Sequence, residues 1–275
     1  MDEPLWWVDG DIVAEDDFAL PVDDRGLAYG DGLFETILVV KGQPIWLMAH
    51  MDRFRRSARA LGYKGVDTLM RRGALGTREL LQAARPARGA LRITWTRGSG
   101  LGGFAPPDNA RPRIVVRLAP VAPRKLTGVR AITLPDLHGG TMAQHKSCSA
   151  LAYVEAARRA RAKGVEEALL SDGQGGIAEA SAANLFAVVD RKLITPPVQL
   201  PLLPGVTRAW VIRRGRVTRH PLKEKDLARA SEAFLTNSIS GVVPLLAVNG
   251  EKIGSGRPGP VTRQLAAAFA KATSK

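Results

Sequence analysis

Pro120-Val121-Ala122-Pro123 separates two stretches of this sequence that pattern differently. Each proline fixes φ and removes a backbone donor, so the stretch suits neither a helix interior nor a central strand and reads as a linker over 120–125. Before it, the chain reads as strands and hairpins with one or two helices. Trp6-Trp7-Val8 and Asp11-Ile12-Val13 flank Asp9-Gly10, a dipeptide that supplies the positive φ of a tight hairpin turn. Leu33 to Val40 is a strand-like run, Lys41-Gly42-Gln43 turns it, and Pro44 to Leu47 returns. Ala49 to Leu61 sets Met51, Phe54, Ala58 and Leu61 at helical spacing. Leu91 to Thr96 and Ile114 to Leu118 read as strands around a glycine-rich loop. After the linker, strands and helices alternate. Strands are expected at Val129 to Leu134, Glu167 to Leu170, Leu185 to Val189 and Ala233 to Leu235, with a hairpin turn at Asn249-Gly250. Helices are expected from Ser147 to Lys163 (apolar at Ala150, Leu151, Val154 and Ala157), from Thr207 to Arg213, and from Gly259 to Lys271. The expectation is an α/β chain: a small α+β domain over 1–119 and a larger, β-rich α/β domain over 126–275.

The chain has 275 residues, 45% of them apolar, enough for two ordinary cores. No apolar run approaches the ~20 residues that span a bilayer, so no membrane partner is expected. Met1-Asp2-Glu3-Pro4 lacks the basic and apolar regions of a signal peptide, and the single cysteine, Cys148, leaves no internal disulfide framework. Both point to a reducing cytoplasm. The net charge of +14 would suit a nucleic acid. However, the arginines fall in clusters (Arg53, Arg55, Arg56, Arg59; Arg158, Arg159, Arg161; Arg213, Arg214, Arg216) on helix-like stretches whose other positions are apolar. These read as solvated helix faces, and no nucleic-acid partner is expected; a basic surface would instead attract anionic substrates.

Gly98-Ser99-Gly100-Leu101-Gly102-Gly103 matches G-x-G-x-x-G and follows a strand. A dinucleotide fingerprint also needs a helix directly after the loop, and Phe104-Ala105-Pro106-Pro107 cannot open one. Histidines 50, 138, 145 and 220 have no metal-site spacing, so no metal is expected. No G-x-S-x-G elbow is present. Cys148 reads as a small buried side chain rather than a nucleophile.

Three other segments carry chemistry. Lys146 lies in Met142-Ala143-Gln144-His145-Lys146-Ser147-Cys148, a polar turn before a helix. Glu179 opens Glu179-Ala180-Ser181-Ala182-Ala183-Asn184-Leu185-Phe186, and Leu203-Pro204-Gly205-Val206-Thr207-Arg208 starts another helix. Each alone reads as surface lysine, turn glutamate or plain helix cap. Together they supply what pyridoxal phosphate requires: an amine for a Schiff base, a carboxylate for the pyridine nitrogen, and free N–H groups with a hydroxyl for the phosphate.

In these segments the sequence resembles the class IV, fold type IV, pyridoxal-phosphate enzymes: branched-chain and D-amino acid aminotransferases, R-selective amine transaminases and aminodeoxychorismate lyase. The resemblance runs from Trp7-Val8-Asp9-Gly10 to about Pro244. It includes Asp24 to Thr36, His50-Met51-Asp52-Arg53 and Thr195-Pro196-Pro197 besides the three segments. It implies that Lys146 holds the cofactor and shuttles the proton, Glu179 pairs with the pyridine nitrogen, and Arg53 binds phosphate. Val206, Thr207, Asn237 and Ser238 would add phosphate contacts, Leu203 would pack on the ring, and Tyr29 and Phe34 would line the substrate pocket. It also implies a homodimer or larger assembly. Phe34-Glu35-Thr36 and the Thr96 to Gly100 loop are most similar to the lyase, which eliminates pyruvate to give 4-aminobenzoate for folate synthesis, with Thr36 orienting the returning proton; Leu151 fits the lyase and D-amino acid enzyme patterns alike. The lyase loop reads Arg-Gly-Tyr where this chain has Gly102-Gly103-Phe104, so a bidentate carboxylate partner is missing. The alternative is an aminotransferase acting on D-amino acids, branched-chain amino acids or amines.

Overall fold

The computed structural model describes residues 3–123 and 127–274. Of the expected 120–125 linker, positions 124 and 125 lie outside these residues, as do positions 1, 2, 126 and 275 of the two expected domains. Two compact units emerge, Met1–Pro123 with His145–Ala150, and Arg124–Gln144 with Leu151–Lys275.

The first unit runs β1 (Leu5–Val8), β2 (Asp11–Val13), α1 (Arg25–Tyr29), β3 (Gly32–Val40), β4 (Gln43–Pro44), α2 (Leu47–Ala60), α3 (Val66–Ala84), β5 (Arg88–Thr96) and β6 (Arg113–Pro120). Its sheet has the order β2-β1-β6-β5-β3-β4, with antiparallel neighbours. Period-2 alternation buries one face. Leu33, Ile37 and Val39 of β3, Leu91, Ile93 and Trp95 of β5, and Ile114, Val116 and Leu118 of β6 share a core with Met51, Phe54 and Ala58 of α2 and Leu69 and Leu80 of α3. Phe54 stacks on Trp95 with ring centroids 3.8 Å apart. The expected strand from Pro44 to Leu47 ends at Pro44, and Leu47 already begins α2. A Cβ on Gly76 would lie 2.5 Å from the Trp7 ring, so α3 approaches the sheet through a glycine notch.

The second unit runs β7 (Val129–Leu134), α4 (Leu151–Ala162), β8 (Glu167–Ser171), β9 (Ile177–Ala180), β10 (Asn184–Val189), β11 (Lys192–Thr195), α5 (Val206–Arg214), β12 (Val217–Arg219), α6 (Glu224–Ala228), β13 (Glu232–Asn237), β14 (Gly241–Val248), β15 (Glu251–Lys252) and α7 (Pro260–Thr273). Its sheet is mixed, β12-β11-β10-β13-β14-β7-β8-β9 with β15 on β14; β7 pairs in parallel with both β14 and β8. Val129, Leu169, Leu185, Ala187, Leu235 and Leu245 belong to the core. Asn249 (φ 52) and Gly250 (φ 86) turn β14 into β15.

The helix expected from Ser147 starts four residues later, at Leu151. Cys148 N donates to Gly32 O at 2.8 Å and Ser147 bridges Leu33, which holds 147 and 148 extended. The expected inward positions Leu151 and Val154 are 78% and 60% exposed. Ala156 and Ala160 face inward instead and share a core with Ala168 and Leu170 of β8; small side chains let the helix lie close to the strand.

Candidate active site

In the first unit, register with β3 places Lys146. Its carbonyl accepts from Phe34 N at 2.8 Å, and the Cys148 bond to Gly32 follows two residues on. The lysine segment is thus held against the start of β3 by an isolated antiparallel bridge between Ser147 and Leu33. Lys146 Nζ lies 4.3 Å from the centroid of the Phe34 ring. Upstream, His145 Nδ1 is 3.0 Å from Ser57 Oγ of α2, and burial lowers the pKa of this histidine. The Cys148 thiol is half-buried and its pKa is raised by burial. That favours the neutral thiol over the nucleophilic thiolate.

Phe34 and Thr36 alternate onto the face of β3 opposite its core, where Arg92 of β5 stands directly across from Thr36. The Arg92 guanidinium stacks 3.6 Å over the Phe34 ring, and among the described residues no carboxylate pairs with it. Tyr29 closes α1, with its hydroxyl donating to Leu101 O at 3.4 Å and its ring centroid 5.5 Å from that of Phe104. Arg25, 2% exposed, donates to Asp31 and to the carbonyls of Gly100, Gly103 and Phe104, so one guanidinium shapes the glycine loop. Gly98 has φ +91, and a Cβ there would lie 1.9 Å from Arg111 O. These glycines answer to turn geometry.

On the core side of β3, Glu35 is 1% exposed. Arg53 Nε and Nη2 donate to it at 2.8 and 2.5 Å, and His50 Nδ1 lies 2.7 Å from its second oxygen. Burial alone would raise the Glu35 pKa, but the charge and hydrogen bonds of Arg53, then His50, outweigh it and leave the pKa at about 2. Burial lowers the pKa of His50, against the pull of Glu35. Two donors of Arg53 are therefore engaged on an acid that sequence reasoning missed. The signal was available: Glu35 falls on the same parity as Leu33 and Ile37, and His50 and Arg53 flank Met51 and Phe54 on the buried face of α2.

In the second unit, Glu179 is the penultimate residue of β9, nearly fully buried. Its Oε2 accepts from Leu203 N at 2.9 Å and Asn184 Nδ2 at 3.2 Å, and its Oε1 from the Tyr153 hydroxyl at 3.0 Å. All three are neutral donors, the pattern a carboxylate requires. Burial, then the charge of Glu179, pushes the Tyr153 pKa far up, so the phenol stays a donor. Tyr153 gave no signal in a helix read only for its apolar positions.

Gly205 is the N-cap of α5, and Val206 and Thr207 form its first turn. Thr207 is 1% exposed, and its Oγ1 is buried with no hydrogen-bond partner among the described residues; the same holds for Thr236 Oγ1 at the end of β13. A helix start leaves backbone N–H groups unpaired and carries the positive end of the macrodipole. A buried orphan hydroxyl beside such N–H groups fits an oxyanion such as phosphate. Leu203 lies two residues before Gly205. Asn237 Oδ1 accepts from the N–H groups of Ile239 (3.1 Å) and Ser240 (2.7 Å), so Ser238 sits in a side-chain-capped turn. Arg208 donates to Pro196 O at 2.8 Å, and burial, then the nearby Arg219 charge, lowers its pKa to about 10. The structure thus brings Lys146 to Phe34 near the start of β3, with Thr36 two residues on along the same face, and joins Glu179 and Leu203 in one hydrogen-bonded group, with Val206 and Thr207 at the adjoining helix start.

The family described as amino-transferase class IV matches residues 32–248. A Methanocaldococcus jannaschii protein named putative branched-chain-amino-acid aminotransferase is 31% identical over 279 residues, covering 96% of this chain and 94% of that protein. A D-alanine aminotransferase of Staphylococcus haemolyticus is 28% identical over 278 residues, covering 96% of each. The crystal structure of the Escherichia coli branched-chain amino acid aminotransferase matches with a TM-score of 0.88 at 25% identity, over 98% of this chain and 94% of that one. Agreement in sequence and fold over nearly the whole chain means that the protein belongs to the class IV aminotransferases, fold type IV enzymes that use pyridoxal phosphate.

Proposed function

We propose that this protein is an aminotransferase that moves the amino group of an α-amino acid to a keto acid. The relatives it matches carry aminotransferase names, which supports transamination over the pyruvate-eliminating lyase suggested by Thr36 and the Thr96 to Gly100 loop. One observation favours amino acids over simple amines. Among the described residues Arg92 offers a guanidinium without an acidic partner, stacked on the ring that Lys146 Nζ also faces. A planar fork of donors beside the reacting amine suits a substrate carboxylate.

The bound cofactor supplies an aldehyde and an electron-accepting ring. With that group bound, Lys146 Nζ would take up the proton of the substrate α-carbon and hand it back on the far side of the substrate nitrogen. Glu179 holds the pyridine nitrogen protonated, and its neutral donors keep the carboxylate aimed. Val206 and Thr207 receive the phosphate through N–H groups and hydroxyl, with Arg53, Asn237 and Ser238 as further contacts. Leu203 packs on the ring, Tyr29 and Phe34 shape the substrate space, and Thr36, on the same face of β3 as Phe34, helps orient the returning proton. The reading includes a homodimer, supported by exposed apolar side chains at Val22, Leu27, Phe104 and Leu151. It also includes a cytoplasmic location. No described helix is long and apolar enough to cross a membrane.

The test gives the holoprotein 2-oxoglutarate with D-alanine, L-leucine or 1-phenylethylamine in turn and follows keto-product formation. An amino acid is expected to be the better donor. Arg92→Met should raise its KM about 10- to 100-fold, the loss of one charge-assisted contact, while sparing the amine. Preference for the amine, or an unchanged KM, would contradict the carboxylate role. Release of 4-aminobenzoate and pyruvate from aminodeoxychorismate, with no transfer from any amino acid, would establish the lyase instead.

A further inference from the structure

We infer that Asn184 is a positioning residue that ties the pyridine end of the cofactor site to its phosphate end. The inference rests on the roles proposed for Glu179 and the α5 N-terminus. Asn184 is the first residue of β10, 4% exposed and paired with Thr236 of β13. Its Nδ2 donates twice, to Glu179 Oε2 at 3.2 Å and to Leu203 O at 2.8 Å. Leu203 N returns to the same Glu179 oxygen at 2.9 Å. The three residues close a ring of hydrogen bonds in which both amide hydrogens of Asn184 are used.

The same side chain reaches the helix start. A Cβ on Gly205 would lie 2.0 Å from Asn184 Oδ1, so the amide oxygen occupies the space in which any other N-cap side chain would begin. Gly205 is thus seated directly on Asn184, and Val206 and Thr207 follow from it. The amide spans the two fittings: its nitrogen holds the acid and the 203 carbonyl, and its oxygen abuts the N-cap. A pyridine nitrogen and a phosphate are held apart by the fixed skeleton of one rigid ligand. The protein groups that meet them must therefore keep a fixed separation, and errors near 1 Å are expensive. A side chain with two donors and one acceptor on a rigid plane meets that need; aspartate lacks the donors and alanine the reach. Tyr153 is the natural control. It donates to the same carboxylate, through Oε1, from α4.

The experiment titrates full-length apoprotein with pyridoxamine 5′-phosphate and with pyridoxamine by calorimetry. Pyridoxamine alone reports the pyridine end, and the ratio of the two Kd values reports the phosphate end. Tyr153→Phe should weaken both ligands by a similar factor and leave the ratio unchanged. Asn184→Ala should weaken pyridoxamine and also shrink the ratio about tenfold, as one misplaced charge-assisted bond would. Asn184→Leu keeps about the same side-chain volume with neither the donors nor an added charge. It should shrink the ratio in the same way, and it carries the test if the alanine variant fails to fold. An unchanged ratio in a folded Asn184 variant would overturn the tie and leave Asn184 acting on Glu179 alone. Wild-type apoprotein with no affinity for either ligand would overturn the cofactor site itself, and the tie with it.

Discussion

Lys146→Ala removes turnover while leaving the fold in place. The backbone of the lysine segment is held by Phe34 N to Lys146 O and Cys148 N to Gly32 O, both at 2.8 Å, and neither bond involves the side chain. The Nζ group, by contrast, is the proposed proton carrier and cofactor anchor. Loss of a positioned acid–base group alone accounts for about 10²- to 10⁴-fold in rate, and loss of the covalent anchor adds to it. Steady-state transamination should therefore fall at least about 10³-fold, with near-wild-type circular dichroism. A variant retaining a tenth or more of wild-type activity would remove Lys146 from the mechanism.

The second large effect is on stability. In Glu35→Ala, Arg53 loses the acid that takes its Nε and Nη2, and His50 loses the partner of its Nδ1. Removing one member of a buried ion pair strands an uncompensated charge, which typically costs about 3–5 kcal/mol. Chemical denaturation should show that loss; a change under about 1 kcal/mol would contradict the electrostatic role of the cluster. The cluster also sets an acid limit. The folded pKa of Glu35, about 2, lies below its ordinary value of 4.5. The unfolded chain therefore binds the extra proton, and the contribution, present above pH 4.5, is lost as pH falls toward 2. His50, also depressed in the folded state, adds a loss that begins as pH falls through its ordinary 6.5. Glu35→Ala should flatten the lower of these two phases.

Elements with strong local chemistry were legible in the sequence. Asp9-Gly10 and Asn249-Gly250 turn their hairpins, the alternation of β3 follows its residues, and α2 follows the spacing of Met51, Phe54 and Ala58. Helix α3 was not, because the glycines that admit it to the sheet, Gly73 against Trp95 and Gly76 against Trp7, weaken its helical signature. The start of α4 was misread for a tertiary reason. The pairing of Ser147 and Cys148 with the start of β3 overrides a helical pattern that continues through them. Lys146, Glu179 and the α5 start stand out as candidates in the sequence because each carries its chemistry in its own residue type and order. The groups that orient them were not. Tyr153 and Asn184 reach Glu179 through side-chain bonds across 26 and 5 residues, and Arg92 enters the proposal only because it stands across from Thr36. Such relations belong to register, which composition and spacing do not reveal.

Every proposed step requires Lys146 Nζ to carry the cofactor. Borohydride reduction of the holoprotein, followed by proteolysis and mass spectrometry, tests it most directly. A phosphopyridoxyl group fixed on the peptide containing Lys146 is the predicted result. An unmodified Lys146, or the group fixed on another lysine, would contradict it.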